Sequence, residues 1–335
     1  MDPVGLAVTG LILAVVGFTI YLANEVILNP ARATVLRLVL IGITGASILY
    51  GVLLMGALLA DGGTRSAGAW LGLAVTAATG LFSAAVLLSD SFRNGLRRVL
   101  GSAYDPVSPV QLTGLVLCSA LLSYTVIGLI SVGGTEGLAE AINSEGISPA
   151  ETLFQSALWV LAALLGVGLF IRRSPGQAQL RLGLRMPSLM DAAVGIGSGF
   201  LFYGVVLAGG LVWLMLSSPE QIAAQSGVSS ALASSVTSVG EALALSLPVA
   251  IGEELFFRGA LQPVFGLLPT SLFFAALHAQ YGFTPALVAL LIVGLGLGVV
   301  ARRHGTVAAI LAHFVFNFVQ LSLALLASSM LPGGG

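Results

Sequence analysis

VGLGLGVVARRHGTVAAILAHFVFN, residues 293–317, consists of an apolar run, a basic turn (RRHG, 302–305) and a second apolar run. A helix on the surface of a water-soluble protein carries polar residues on one face at each turn. Neither flank of this turn does. The flanks extend over roughly 285–301 and 306–330, close to or beyond the ~18 residues that mark a spanning helix. The segment therefore reads as a membrane hairpin with its two arginines at one surface.

The same pattern runs back through the chain. Of 335 residues, 57% are hydrophobic and only 8% are charged, against roughly 25% charged in a soluble domain. So few charges cannot cover a water-facing surface. The expected class is an all-α polytopic membrane protein of about ten transmembrane helices. Their approximate positions are 4–23, 36–60, 69–89, 110–133, 152–171, 192–217, 238–265, 268–281, 285–301 and 306–330.

Arginine supplies every basic residue, and the thirteen arginines are unevenly placed. Arg32 and Arg37 lie at the first loop, Arg93, Arg97 and Arg98 in the third, Arg172, Arg173, Arg181 and Arg185 in the fifth, and Arg302 and Arg303 in the ninth. Only Arg65 falls in an even loop, and Glu136, Glu140, Glu145 and Glu220 mark the even side. The positive-inside rule then puts odd loops in the cytoplasm and both termini outside. Arginine without lysine, with abundant Ala, Gly and Val, suggests a GC-rich bacterial genome, and so a multi-pass protein of the inner (plasma) membrane. The first ten residues, MDPVGLAVTG, lack the basic start of a secretory signal. DSFRNGLRRVL (90–100) reads as an interfacial amphipathic helix or as an ordinary basic loop. The Ser/Ala-rich 217–238 reads as an external loop or lid. Cys118, the single cysteine, lies in an apolar block and permits no disulfide framework. A net charge of −1 gives no sign of nucleic acid, and no such partner is expected.

Ionisable groups inside spans cost at least ~2.5–3.5 kcal/mol each on insertion scales, so they are rare, paired and functional. Here Glu241, Glu253, Glu254, Arg258, His278 and His313 all fall in the last four spans. Gly266 and Pro269 mark a turn after span seven. Glu253 before it and His278 after it each lie on the order of 14–20 Å from that turn at ~1.5 Å per residue. His313 and Asn317 enter from the RRHG turn to ~12 and ~18 Å. Three helices thus deliver polar groups to one layer. Glu254 and Arg258, at i and i+4, share a face and can pair. Glu253 points about 100° away and is expected to face the site. Glu241, near the outer end of its span, and His304, in the turn, read as solvated. The glycines of 293–300 read as helix-packing positions rather than a dinucleotide fingerprint.

EELFFR (253–258), FAALH (274–278) and HFVFN (313–317), in that order on the last helices, resemble the CPBP family, the CAAX-protease and bacteriocin-processing (Rce1-like or Abi) intramembrane endopeptidases. LGLRMP (182–187) resembles the lead-in to that domain. The resemblance covers roughly 180–330. It implies a C-terminal CPBP-type helical core over 172–335, following an N-terminal transmembrane extension (1–171) whose role it leaves open. It implies that Glu253 and His278 activate water, that His313 and Asn317 stabilise the oxyanion, and that Glu254, Arg258 and Phe274 support them. The family has been described both as a metalloprotease and as a metal-independent glutamate protease. Zinc held by Glu253, His278 and His313 with water in the fourth position is the metal alternative.

The implied activity is hydrolysis of a peptide bond in a membrane-associated protein or peptide, in contact with membrane lipid. Neither substrate nor oligomeric state is legible. Peptide hydrolysis needs a base for water and donors for the oxyanion, and these residue types supply both. A non-catalytic scaffold or immunity-type protein, and a proton-coupled transporter relaying through Glu253 and Glu254, are the competing classes.

Overall fold

A computed structural model of the chain describes residues 3–61, 66–219, 234–281 and 284–330, with 222, 227, 230 and 231. Arg65, Glu220 and part of the expected external loop or lid over 217–238 lie outside the described residues.

The described chain is helical. Eight helices are long and apolar enough to cross a membrane, and the protein is a multi-pass membrane protein. In order, the helices are α1 (Pro3–Leu28), α2 (Ala33–Ala60), α3 (Ser66–Leu88), α4 (Asp90–Leu100), α5 (Pro109–Ser131), α6 (Gly134–Glu145), α7 (Pro149–Gly166), α8 (Pro175–Arg181), α9 (Leu189–Leu216), α10 (Val239–Glu254), α11 (Gln262–Phe265), α12 (Leu267–Ala276), α13 (Pro285–His304) and α14 (Thr306–Met330). A π-helical segment, Leu255–Leu261, joins α10 to α11. Large apolar side chains such as Leu201, Leu211, Val288 and Ile292 stand about half exposed or more. Such faces suit lipid, which also leaves each helix to satisfy its own backbone.

The contacts divide the chain into two compact units, residues 1–128 with 161–178, and 129–160 with 179–335. In the first, Leu22, Ala23 and Val26 of α1 pack with Leu36 and Leu40 of α2, Val86 and Leu87 of α3, and Val116 of α5. The segment 90–100 is the short amphipathic helix α4. Ser89 caps it by accepting from the Phe92 N–H. Phe92 and Leu96 pack on the core, while Val99 is exposed.

The second unit is built on close helix contact. Gly195 and Gly199, one turn apart on α9, face Ala308 and Ala312, one turn apart on α14. A Cβ at Gly195 would lie 2.6 Å from the Ala308 carbonyl oxygen, and one at Gly199 2.7 Å from that of Ala312. Small residues let the backbones approach where no hydrophobic effect drives helices together. Phe202, Val293, Leu297, Val300 and Phe316 complete this core. On the other side of α14, Phe318 and Leu321 pack against Ala242 and Leu245 of α10. α14 is thereby wedged between α9 and α10, which fixes His313 and Asn317 beside the acidic helix. At the start of α10, Ser238 caps the helix by accepting from the Glu241 N–H, and the Glu241 carboxylate accepts from Thr237 N and Oγ1.

The segment 268–281 departs from the expected span. α12 holds ten residues, ~15 Å of rise, and cannot cross a bilayer alone. His278 N–H bonds back to Ala275 O, so the helix tightens and ends, and a short 3₁₀ turn (Ala279–Tyr281) follows. Pro248 stays within α10, and departure from α geometry comes only after Glu254.

Candidate active site

Glu254, Arg258, Phe274, His278 and His313 gather where the π segment meets α12 and α14, with Glu253 next to Glu254 in the chain and Asn317 one turn after His313. Glu254 is fully buried and joins two elements. Its Oε1 is 2.8 Å from His313 Nδ1. Its Oε2 is 3.1 Å from Arg258 Nε, an ion pair whose angle falls short of a hydrogen bond. Arg258, 3% exposed, donates from Nη2 to Gly294 O at 3.2 Å. Its guanidinium lies 4.5 Å from the Phe274 ring centroid, a cation–π contact that strengthens on desolvation. Phe274 also packs at 4.7 Å centroid separation on His278 and at 6.2 Å, edge on, against His313. Phe274 is thus the apolar hub that Arg258 and both histidines share.

His278 owes its orientation to the end of α12. With His278 N–H turned to Ala275, the Phe274 carbonyl is free to take the imidazole Nδ1 at 2.8 Å. A carbonyl oxygen only accepts, so Nδ1 carries the hydrogen, and Nε2 of the neutral ring keeps its lone pair. Glu253 differs from its neighbour. Neither it nor Asn317 makes a side-chain hydrogen bond to another described residue, and Glu253 Oε2 is buried without a partner. A buried carboxylate oxygen in that state is costly. An unpartnered carboxylate oxygen beside an engaged one marks a position that can meet water or a ligand.

The π segment makes the site possible. π geometry appears mostly as short insertions, often at functional sites. Here two causes coincide. Pro263 has no N–H to return to the preceding turn, and Arg181 donates to two carbonyls of that turn, Gly259 O at 2.8 Å and Ala260 O at 3.2 Å. Gly259 admits this brace, since a Cβ there would stand 3.0 Å from Leu182 Cδ2 and 3.1 Å from Leu182 O. Gln262, one turn after Arg258, donates to Gly298 O at 2.9 Å, one turn after Gly294. The two bonds run in the same direction, so the acidic helix and α13 are parallel.

Two features differ from what the sequence leads one to expect, and a third bears on the metal alternative. Spacing groups His313 with Asn317, yet the polar partner of His313 is Glu254. His304 reads as a solvated turn residue, yet its Nδ1 is 2.8 Å from Asp191 Oδ1, and Asp191 also accepts from Arg185 at 2.9 Å and from Ser188. Arg185 in turn donates to His304 O. This cluster fastens the 182–188 lead-in to the turn before α14, as does Thr306 Oγ1, which donates to Leu182 O at 2.6 Å. Finally, among the described residues no three His, Cys, Asp or Glu side chains converge as a metal-ligating group. Engagement of Nδ1 by Glu254 in His313 and by a carbonyl in His278 leaves each Nε2 open, but Glu253, His278 and His313 do not converge on one point and so do not fit a zinc centre in this arrangement. Arg181, Gln262 and Asp191 are the framework residues that sequence reasoning misses. The only hint of them is arginine density in the lead-in.

Comparison with known families returns one match. Residues 235–319 match the family model described as Rce1-like, type II CAAX prenyl endopeptidase. The match spans about a quarter of the chain, holds all seven site residues, and agrees with the resemblance carried by the three motifs. No curated protein and no solved structure matches the chain. The segment bearing the polar cluster is therefore similar to a CAAX-type intramembrane protease.

Proposed function

We propose that the protein is an intramembrane endopeptidase that hydrolyses a peptide bond of a membrane-associated protein or peptide, with Glu253 and His278 activating the attacking water. The observation that carries this reading is the contrast between adjacent carboxylates: Glu254 engaged by Arg258 and His313, and Glu253 with a buried oxygen unpartnered. One acid is built into the framework, and its neighbour is left for chemistry.

In this reading, water binds between Glu253 and His278 Nε2. As its oxygen attacks the scissile carbonyl carbon, its proton passes to Glu253 and then to the leaving amine. The carbonyl oxygen gathers negative charge and is met by the Asn317 amide, and by His313 Nε2–H when the ring is protonated. Glu254, Arg258 and Phe274 act as positioning residues. The chain's other expectations stand with this proposal: a protease core over 172–335 behind an N-terminal membrane extension over 1–171, arginine-rich loops and bond cleavage on the cytoplasmic side of a bacterial inner membrane, and both termini outside.

The test is cleavage of a diverse peptide and lipopeptide library by purified protein in nanodiscs, made in ¹⁸O-labelled water and read by mass spectrometry. New carboxyl termini carrying the label are expected. Intact peptides from well-folded protein would instead support a scaffold. Intact peptides with flux that follows a pH gradient would support a transporter.

A further inference from the structure

A cavity apart from the proposed reaction site opens elsewhere in the second unit. It has a volume of about 430 Å³ and lies within the second unit, where the lead-in, the α11–α12 turn and the α13–α14 turn meet. Its lining residues include Arg181, Arg258 and Arg302, with Gln262, Gly266 and Leu267. Three arginines are among them, and no Asp or Glu is.

Two independent features point to what it takes. First, Gly266 and Leu267 put the N-terminal end of α12 on the wall, and that end has no side-chain cap. The first N–H groups of a helix have no intrahelical acceptors and carry its positive end. Second, Arg258 is only 3% exposed, yet its Nη1 makes no hydrogen bond. A buried guanidinium N–H without an acceptor is a donor in want of one. Forked arginine donors and open helix N–H groups share one complementary ligand, an oxyanion with several acceptor oxygens.

We infer that this cavity is a binding site for a phosphate-class oxyanion, held by Arg302 at its mouth, Arg258 at its base and the amino end of α12. The exposed Arg302 supplies the entrance, and the volume accommodates a substituted phosphate as well as the free ion. Such a group comes from an anionic lipid headgroup or from soluble phosphate. Arg258 belongs to both this cavity and the Glu254 pair, so the two places share one guanidinium.

The test compares wild type with Arg302→Gln, which changes an exposed side chain outside the proposed catalytic machinery. The same swap at Arg97, on α4 of the other unit, serves as control. Thermal unfolding is followed with inorganic phosphate titrated into protein in phosphatidylcholine nanodiscs, and separately in nanodiscs containing phosphatidylglycerol. Native mass spectrometry reads retained lipid. A rise in unfolding temperature is expected, together with binding about tenfold weaker in Arg302→Gln, as loss of one charge-assisted hydrogen bond gives, and unchanged in Arg97→Gln. Protection by inorganic phosphate in neutral lipid identifies the soluble ion, and protection only with phosphatidylglycerol identifies the headgroup. No protection in either arm, or equal protection of all three proteins, overturns the site.

Discussion

Exchanging each of two adjacent carboxylates for its amide gives opposite expectations. Glu254→Gln removes the carboxylate that, among the described residues, forms an ion pair with Arg258, which is 3% exposed. Breaking a buried ion pair by removing one partner costs about 3–5 kcal/mol, because the other charge is left uncompensated. Two contacts soften the loss, the Gly294 carbonyl at 3.2 Å and the Phe274 ring at 4.5 Å, the latter worth ~0.5–2 kcal/mol. The bond to His313 also weakens from charged to neutral, by about 1 kcal/mol. The expected net loss is ~3 kcal/mol. At Glu253 the account differs. A carboxylate with a buried oxygen lacking any partner gives the fold little, and Glu253→Gln is expected to lie within ~0.5 kcal/mol of wild type or slightly above it. The assay is reversible unfolding in mixed micelles, with midpoints compared at matched slopes. Equal destabilisation by both swaps, or a Glu254→Gln protein as stable as wild type, would refute the division of roles.

Other expectations rest on the framework. Arg181→Leu leaves the Gly259 and Ala260 carbonyls without their donor, and a loss of ~1–3 kcal/mol is expected in the same unfolding assay. Arg181→Lys is expected to recover part of it. Gly199→Leu drives a side chain into α14, where even a Cβ meets Val315 Cβ at 2.6 Å. Loss of ~1–3 kcal/mol or more follows, read as earlier unfolding and poorer recovery from membranes. If a chelator is added to an active preparation, the rate is expected to hold within about twofold, since the histidine and carboxylate donors do not converge; loss restored by added zinc would contradict this.

The membrane class, the order of the helices and the layer of polar residues are legible in the sequence because each depends on local pattern. Apolar length marks a span wherever it occurs, and i, i+4 spacing by itself puts Glu254 beside Arg258. What stays hidden depends on partners far apart in sequence. Within 253–265 only Pro263 hints at the π segment, because its brace lies in Arg181, about eighty residues earlier. The bond between Glu254 and His313 joins residues 59 apart, and spacing within either helix cannot register it. Composition overestimates α12 because 268–281 remains apolar after the helix ends, past the point where His278 turns back onto Phe274. His304 is underrated for the same reason as Glu254's second partner, since Asp191 is 113 residues away.

The central claim is that Glu253 and His278 activate water for peptide hydrolysis. Its most direct test is the single-turnover cleavage rate of Glu253→Gln and His278→Ala against wild type, on a substrate the wild type cuts, with folding of each variant verified by unfolding midpoint. Loss of a positioned general base removes about 10²–10⁴-fold. The account predicts a fall of at least about a hundredfold in both variants, with the midpoint of Glu253→Gln unchanged. Cleavage by folded Glu253→Gln at the wild-type rate would contradict it.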